Sequence, residues 1–433
     1  MRSRLRSFTP FMVLALILAA CGGGSSPTPG GGSGGTENLK DQSVTVIGTW
    51  TDTEQIAFLS MVQPWEKATG AHVKYTGTRS INDILAAGLR TNVLPDLAGI
   101  PGPGQMKEYA AAGKLKPLDD VLDVATYTSE TSPGLVALSK IDGKTYGVFI
   151  KASVKGLIWF NPKLHDYTGK APATWDDLMT QAQANKGAAN AIWCLGLSSG
   201  ADSGWPGTDW IEDILLHQAG PDVYNNWVAG KVKWTDPQIK AAFDLYMKDV
   251  VANTYGGGTN AINTKFDLAG DPLFATPPGC EFLHQASFIT GLGKFAGLKN
   301  PTDYNAFPFP SINDQFKTAV EGSGDLFAMF HDTPAAKSLM RYLVTAPAQD
   351  IWVKKGGALS ANKNANDYTD ALSKTMAGLI TSATQFVFDA SDQMPNAMNA
   401  AFKSHMVTLS KGAETVDQAL QALQKVADDA YSS

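Results

Sequence analysis

The chain has 433 residues, 41 acidic against 35 basic side chains, a net charge of −6 and 44% apolar residues. That acidic balance argues against nucleic acid or an anionic membrane surface as partner, and the length exceeds one ordinary core and suits two lobes. Six histidines, at 72, 165, 217, 284, 331 and 405, are scattered without ligand spacing, and no Walker loop occurs, so neither a metal site nor a cofactor is expected.

Residues 1–20 place Arg2, Arg4 and Arg6 before the uncharged apolar stretch from Phe11 to Ala20. The stretch is short of the roughly 20 apolar residues of a membrane span, and it reads as a leader removed on export. Leu18-Ala19-Ala20-Cys21 resembles a lipobox, which implies a mature chain that starts at Cys21, carries lipid there and stays attached to the membrane outside the cytoplasm. Residues 21–41, rich in Gly and Ser, read as a flexible tether. With Cys21 lipidated, Cys194 and Cys280 remain as a pair in an oxidising compartment and are expected to bond, two separate buried thiols being the other reading.

Val44-Thr45-Val46-Ile47 predicts a β-branched strand, followed by a helix over 54–69, a strand over 70–77, a helix opened by Ser80, and a third short strand over 95–99. This alternation indicates an α/β fold with a mostly parallel sheet, whose ligand crevice lies beyond the carboxyl ends of the strands. A helix over 104–112 comes next, then two strands over 143–149 and 156–161 on either side of a polar segment. Beyond them helices dominate: one opened by Thr174, then 209–217, 237–252, 333–344, 346–354, 367–377 and 415–430.

Leu94-Pro95-Asp96, the run Ala110–Leu118, the passage from Tyr146 to Asn161 and Lys354-Lys355-Gly356-Gly357 through Asn362 occur in an order that resembles the solute-binding proteins of carbohydrate ABC importers. Trp193-Cys194 with Gly204-Trp205-Pro206-Gly207-Thr208-Asp209-Trp210 and Gly279-Cys280-Glu281 is similar to the α-glucoside-binding branch of that family. The resemblance implies a two-lobed periplasmic-binding-protein-like fold with a central cleft and hinge crossings near 150–156, 284–288 and 322–325. It also implies an N-terminal lobe of 42–151 plus 286–324 and a C-terminal lobe of 152–285 plus 325–433. The function implied is capture of a sugar by a monomer that delivers it to the permease subunits of an ABC importer, without catalysis.

A neutral sugar calls for aromatic planes edged by carboxylates, amides and cations. Trp205, Asp209 and Trp210, around a Pro-Gly loop opening a helix, form the strongest local cluster, though Asp209 equally suits a helix cap. Trp50 and Asp96 are placed at strand ends facing the crevice, with packing and turn formation as their respective alternatives, and Asp325 lies at the last crossing among glycines. Lys151 and Lys155 suit hydroxyl donation or plain solvation, and Gln285, Trp352 and Gly356 are carried over from the resemblance. The competing class is a secreted lipoprotein hydrolase. Gly196-Leu197-Ser198-Ser199-Gly200 matches the pattern of a nucleophile elbow, but a Gly- and Pro-broken loop comes after it where an esterase needs a helix. A glycosidase needs two cooperating carboxylates, and the sequence nominates no pair.

Overall fold

The computed structural model describes residues 38–185, 190–383 and 385–432. The leader, Cys21 and most of the expected tether lie outside the described residues. The tether ends earlier than the expected residue 41, because Leu39 is already buried and its N–H donates to the carbonyl of Thr69 at 2.9 Å.

The first strand, β1 (Ser43–Gly48), leads into α1 (Asp52–Thr69), which Gly70 closes in the left-handed conformation, φ 76°, donating to Glu66 O. Next come β2 (His72–Gly77), α2 (Ile81–Thr91), β3 (Leu97–Ile100) and α3 (Pro103–Ala111). β1 pairs in parallel with both β2 and β3. The strand expected to stop at 149 instead runs through the polar segment as β4 (Gly147–Val154), buried along its whole length, and leads to β5 (Leu157–Phe160). Alternating polarity misleads here because Lys151 and Ser153 are buried among polar partners rather than facing water.

The second half contributes α4 (Trp175–Asn185), with Thr174 Oγ1 accepting from Asp177 N, then β6 (Trp193–Cys194) and α5 (Trp205–Val228), broken at Gly220 where φ is 85°. After β7 (Phe282–Gln285) and β8 (Asn305–Pro308) comes the long β9 (Ala319–Met329). The chain continues with α6 (Pro334–Leu343), α7 (Ala346–Lys355), α8 (Ala371–Ser382), β10 (Gln385–Phe388), α9 (Ala390–Gln393), α10 (Asn396–Ser410) and α11 (Val416–Ala430). Neither α10 nor β10 was among the elements expected from the sequence.

Two main sheets result. One has six strands in the order β10-β9-β3-β1-β2, with β4 also on β9, and β9 runs antiparallel to β3 and β4. The other has four, β8-β5-β7-β6, mostly antiparallel. Each sheet is the heart of one lobe of a periplasmic-binding-protein-like fold. Strand pairing and helix packing group the segments differently from the expected limits. β8 joins β5 in the four-stranded sheet, whereas α6 and α7 share a core with β1 and α1 through Leu339, Trp352, Val44 and Phe58. α10 and α11 bury Phe402 and Leu420 with Trp193 and Trp210 of the four-stranded lobe.

Cys194 and Cys280 are bonded, as expected, with Cα atoms 5.4 Å apart across a separation of 86 residues. On the chain-entropy argument such a loop contributes about 4 kcal/mol. Among the described residues no helix is long and apolar enough to cross a membrane.

Candidate ligand-binding cleft

Parallel strands aim their carboxyl ends at one edge, and the residues just past the ends of β1, β2 and β3 line a common cleft: Thr49 and Trp50, Arg79, and Pro101. Strands β4 and β9 supply Lys151, Ser153 and Asp325 from the same lobe, while Ser199, Trp205, Asp209, Phe266 and Asp389 line the opposing wall. The space between the walls amounts to about 810 Å³, part of it open to solvent.

Nine of the ten tryptophans are buried, and Trp205 alone is partly open. Its ring is flanked by Phe266 at 5.0 Å and Phe288 at 5.9 Å, with the Lys155 ammonium 5.0 Å from its centroid. Trp50, also in the cleft lining, cannot serve as a stacking face, because Phe58, Phe327 and Trp352 cover its ring at 4.9–5.9 Å. It offers an edge instead: its Nε1 finds no full hydrogen bond among the described residues, although its N–H is near enough to Asp325 to favour the charged carboxylate. Ser199 Oγ and Asp209 Oδ1 are likewise buried without a partner among the described residues.

The cations of the cleft are each matched by carboxylates. Arg79 pairs with Glu54 at 3.0 Å, Lys151 with Glu54 at 2.7 Å and Asp325 at 3.5 Å, Lys155 with Asp209 at 2.7 Å and Asp389 at 2.8 Å, and Lys403 with Asp202 at 2.5 Å. Burial pushes the Glu54 carboxyl up, but Lys151 and Arg79 outweigh it and hold it below its usual value. Burial also works against the charge on Lys155, yet Asp209 and Asp389 hold its pKa well above the lysine range. Asp209 is different: burial pushes it up to about 7 even with Lys155 beside it. Asp389, pushed the same way by burial, is held below the usual carboxylate value by Lys155 and its hydrogen bonds.

Of the residues expected from the sequence, Trp50, Lys155, Trp205, Asp209 and Asp325 come together in this cleft. Trp352 and Gly356 line an adjoining cavity that shares Glu54 and Phe288 with it. Three are placed elsewhere. Asp96 precedes β3 instead of succeeding it, at the end away from the cleft, where it accepts from Thr45 N at 2.8 Å and Thr45 Oγ1 at 2.7 Å. Trp210 is packed in the core against Trp193 and His284. Gln285 is buried and turns its Oε1 onto the N–H of Ala286. Asp209 is no helix cap, since it lies one turn inside α5. Glu54, Arg79, Ser199, Phe266 and Lys403 were not foreseen. Ser198 has no elbow geometry: its backbone bonds Thr264 and Phe266, and no hydrogen bond from its hydroxyl to a histidine occurs among the described residues.

Residues 60–379 match the family of bacterial extracellular solute-binding proteins. The chain is 34% identical to the osmoprotective compounds-binding protein GgtB of Synechocystis, over 94% of this chain and 95% of that one. It is 31% identical to the alpha-glucosides-binding periplasmic protein AglE of Rhizobium meliloti, over 88% and 86%. A solved chitin oligosaccharide binding protein superposes with a TM-score of 0.76 at 23% identity, covering 90% of this chain and 99% of the other.

Proposed function

This chain belongs to the bacterial extracellular solute-binding proteins, and we propose that it captures a neutral sugar, an α-glucoside or short oligosaccharide, and hands it intact to the permease subunits of an ABC importer. The observation that carries this reading is the single partly open indole, Trp205, in a cleft that also offers the Ser199 hydroxyl and Asp209 Oδ1, both buried without a partner among the described residues. An aromatic face suits the C–H face of a pyranose. Unpaired buried polar atoms cost free energy until hydroxyls meet them, and they disfavour ligands without hydroxyls. Because every cleft cation already has a carboxylate, a phosphate or polyanion finds no free positive charge among the described residues.

Contacts that bridge the walls support closure over the ligand: Asn82 Nδ2 to Asp202 Oδ1 at 3.4 Å, Thr53 Oγ1 to Gly291 O at 3.2 Å, and the Arg79 guanidinium 5.0 Å from the Phe266 centroid. Such contacts form only when the lobes are shut, which is how a ligand shifts a hinge equilibrium. In this reading the lobes meet near 155–156, 309–318 and 389, the chain acts as a monomer, and lipid on Cys21 holds it at the outer face of the cell membrane.

Titration calorimetry against maltose, trehalose and longer glucosides, alongside sugar phosphates and chromogenic esters, tests the proposal. Saturable binding of a neutral glucoside with no turnover is the expected result. Tight binding of the phosphates alone, or hydrolysis of glucoside or ester, defeats it.

A further inference from the structure

Behind the cleft wall lies a group of carboxylates that sugar capture does not use. Glu212 projects from α5, three residues beyond Asp209; Glu321 comes from the start of β9; Asp389 opens α9 after β10. One oxygen from each lies within 4.8 Å of the others, and the three side chains are at most 2% exposed. Their surroundings differ. Glu212 accepts from Ala390 N at 2.7 Å, Ser391 N at 3.2 Å and the Tyr224 hydroxyl at 3.3 Å. Asp389 accepts from the Ser391 hydroxyl at 2.8 Å, Asp392 N at 3.0 Å and the Lys155 ammonium at 2.8 Å. Glu321 is 1% exposed, and neither of its carboxylate oxygens has a hydrogen-bond partner among the described residues.

An isolated buried carboxylate is among the most expensive groups a fold can carry, and it persists when a cation or a proton neutralises it. Three ionised carboxylates leave a charge of about −2 after Lys155, the one lysine that touches them among the described residues, and Lys155 also serves Asp209. We propose that Glu212, Glu321 and Asp389 form a site for one hard divalent cation, best suited to Ca²⁺, that joins α5, β9 and the start of α9. The donors are all carboxylate oxygens, which excludes the softer metals that favour nitrogen and sulfur. Ca²⁺ accepts irregular and bidentate carboxylate ligation, whereas Mg²⁺ keeps water in a strict octahedron and is poorly served by so closed a site. Because the three ligands come from three separate elements, α5, β9 and the start of α9, a bound cation ties them together and stabilises the fold independently of any sugar.

The test uses the purified chain, stripped with EDTA, dialysed and returned to CaCl₂ or MgCl₂ without sugar. About one calcium per chain by elemental analysis, and a rise in Tm of about 3 °C at a hundredfold excess over Kd, are expected. Glu321→Gln keeps the shape and removes the charge, and it is expected to abolish both responses. Glu281→Gln, a buried carboxyl that instead bonds His165 and Tyr167, is expected to keep them. Absence of calcium and of any shift in the unaltered chain overturns the proposal. So does an unchanged calcium response in Glu321→Gln, or a Glu321→Gln chain more stable than the stripped protein whose own Tm ignores both ions, the mark of a site that holds a proton. Sugar titration of the stripped chain stands apart from these readouts, so failure here leaves the sugar reading to its own test.

Discussion

Lys151 on β4 and Lys155 just past its end, four residues apart, sit in opposite electrostatic settings. Lys151 belongs to a balanced set: two cations, Lys151 and Arg79, face two carboxylates, Glu54 and Asp325. Lys155 is outnumbered, since Asp209 and Asp389 touch it and Asp392, Glu212 and Glu321 lie close behind. In the balanced set Glu54 lies below and Lys151 above their ordinary values despite burial, and only Asp325 is pushed up, by burial and by Glu54 beside it. In the acid-rich set one lysine cannot secure every carboxylate, and Asp209 is left to titrate near neutrality. A buried ion pair therefore fixes structure on one side of the cleft, while the other side retains a group whose charge responds to pH and ligand.

The sharpest way to break the comparison is to delete each lysine. Lys155→Met strands Asp209 and Asp389 together, and a loss of about 3–5 kcal/mol is expected in urea unfolding. Lys151→Met leaves Glu54 its contact with Arg79 at 3.0 Å, so a smaller loss of about 1–3 kcal/mol is expected. Equal losses in the two variants would mean that the surplus of carboxylates around Lys155 is already neutralised.

Replacing Trp205 separates binding from stability. Its ring is half-open in the cleft, so Trp205→Ala is expected to weaken sugar binding by about 1.5–3 kcal/mol, tenfold to a hundredfold, while costing less in stability than Lys155→Met. Trp210→Ala is the counterpart: a fully buried core indole, whose loss is expected to destabilise the fold by about 3–5 kcal/mol. Calorimetry of binding and unfolding on both variants checks the contrast, which fails if Trp210→Ala folds normally and loses the sugar.

Those neighbouring tryptophans also show what the sequence could and could not reveal. A helix turns 100° per residue, so Trp205 and Asp209, four apart on α5, share the cleft face while Trp210 is rotated into the core. The Pro-Gly signature marked a segment that lines the cleft but not which face of the helix turns toward it. Asp96 fails through register: β3 begins at Leu97, so a carboxylate expected just beyond the strand stands just before it, a full strand length from the cleft. The α/β alternation of the first hundred residues was legible because the β-branched run of β1 and the left-handed glycine that closes α1 announce themselves locally. By contrast Glu54, Phe266 and Lys403 enter the cleft from segments far apart in the chain, on elements whose local pattern carries no mark of a site. Lobe membership was illegible for the same reason, since β8 and α6 are assigned by the partners they pair or pack with and by nothing in their own sequence.

The pH response of the acid-rich wall sharpens the comparison further, measured in chelator so that bound cations play no part. Asp209 has a folded value of about 7 against an ordinary 3.8, so between these limits the folded chain holds a proton that the unfolded chain releases. Its contribution to stability is complete below the unfolded value and is lost as pH rises through 7, with a slope of about 0.7 kcal/mol per pH unit at the midpoint. Glu54 has the opposite sign: its folded value is depressed, so its contribution is present above the ordinary 4.5 and disappears as pH falls through the folded value. Asp209→Asn is therefore expected to flatten the decline between about pH 4 and 7, and Glu54→Gln to flatten the acid limb below the ordinary 4.5. Denaturation midpoints across pH 4–9 distinguish the two, and a neutral-range slope that survives in Asp209→Asn would move the titrating group to another member of the cluster.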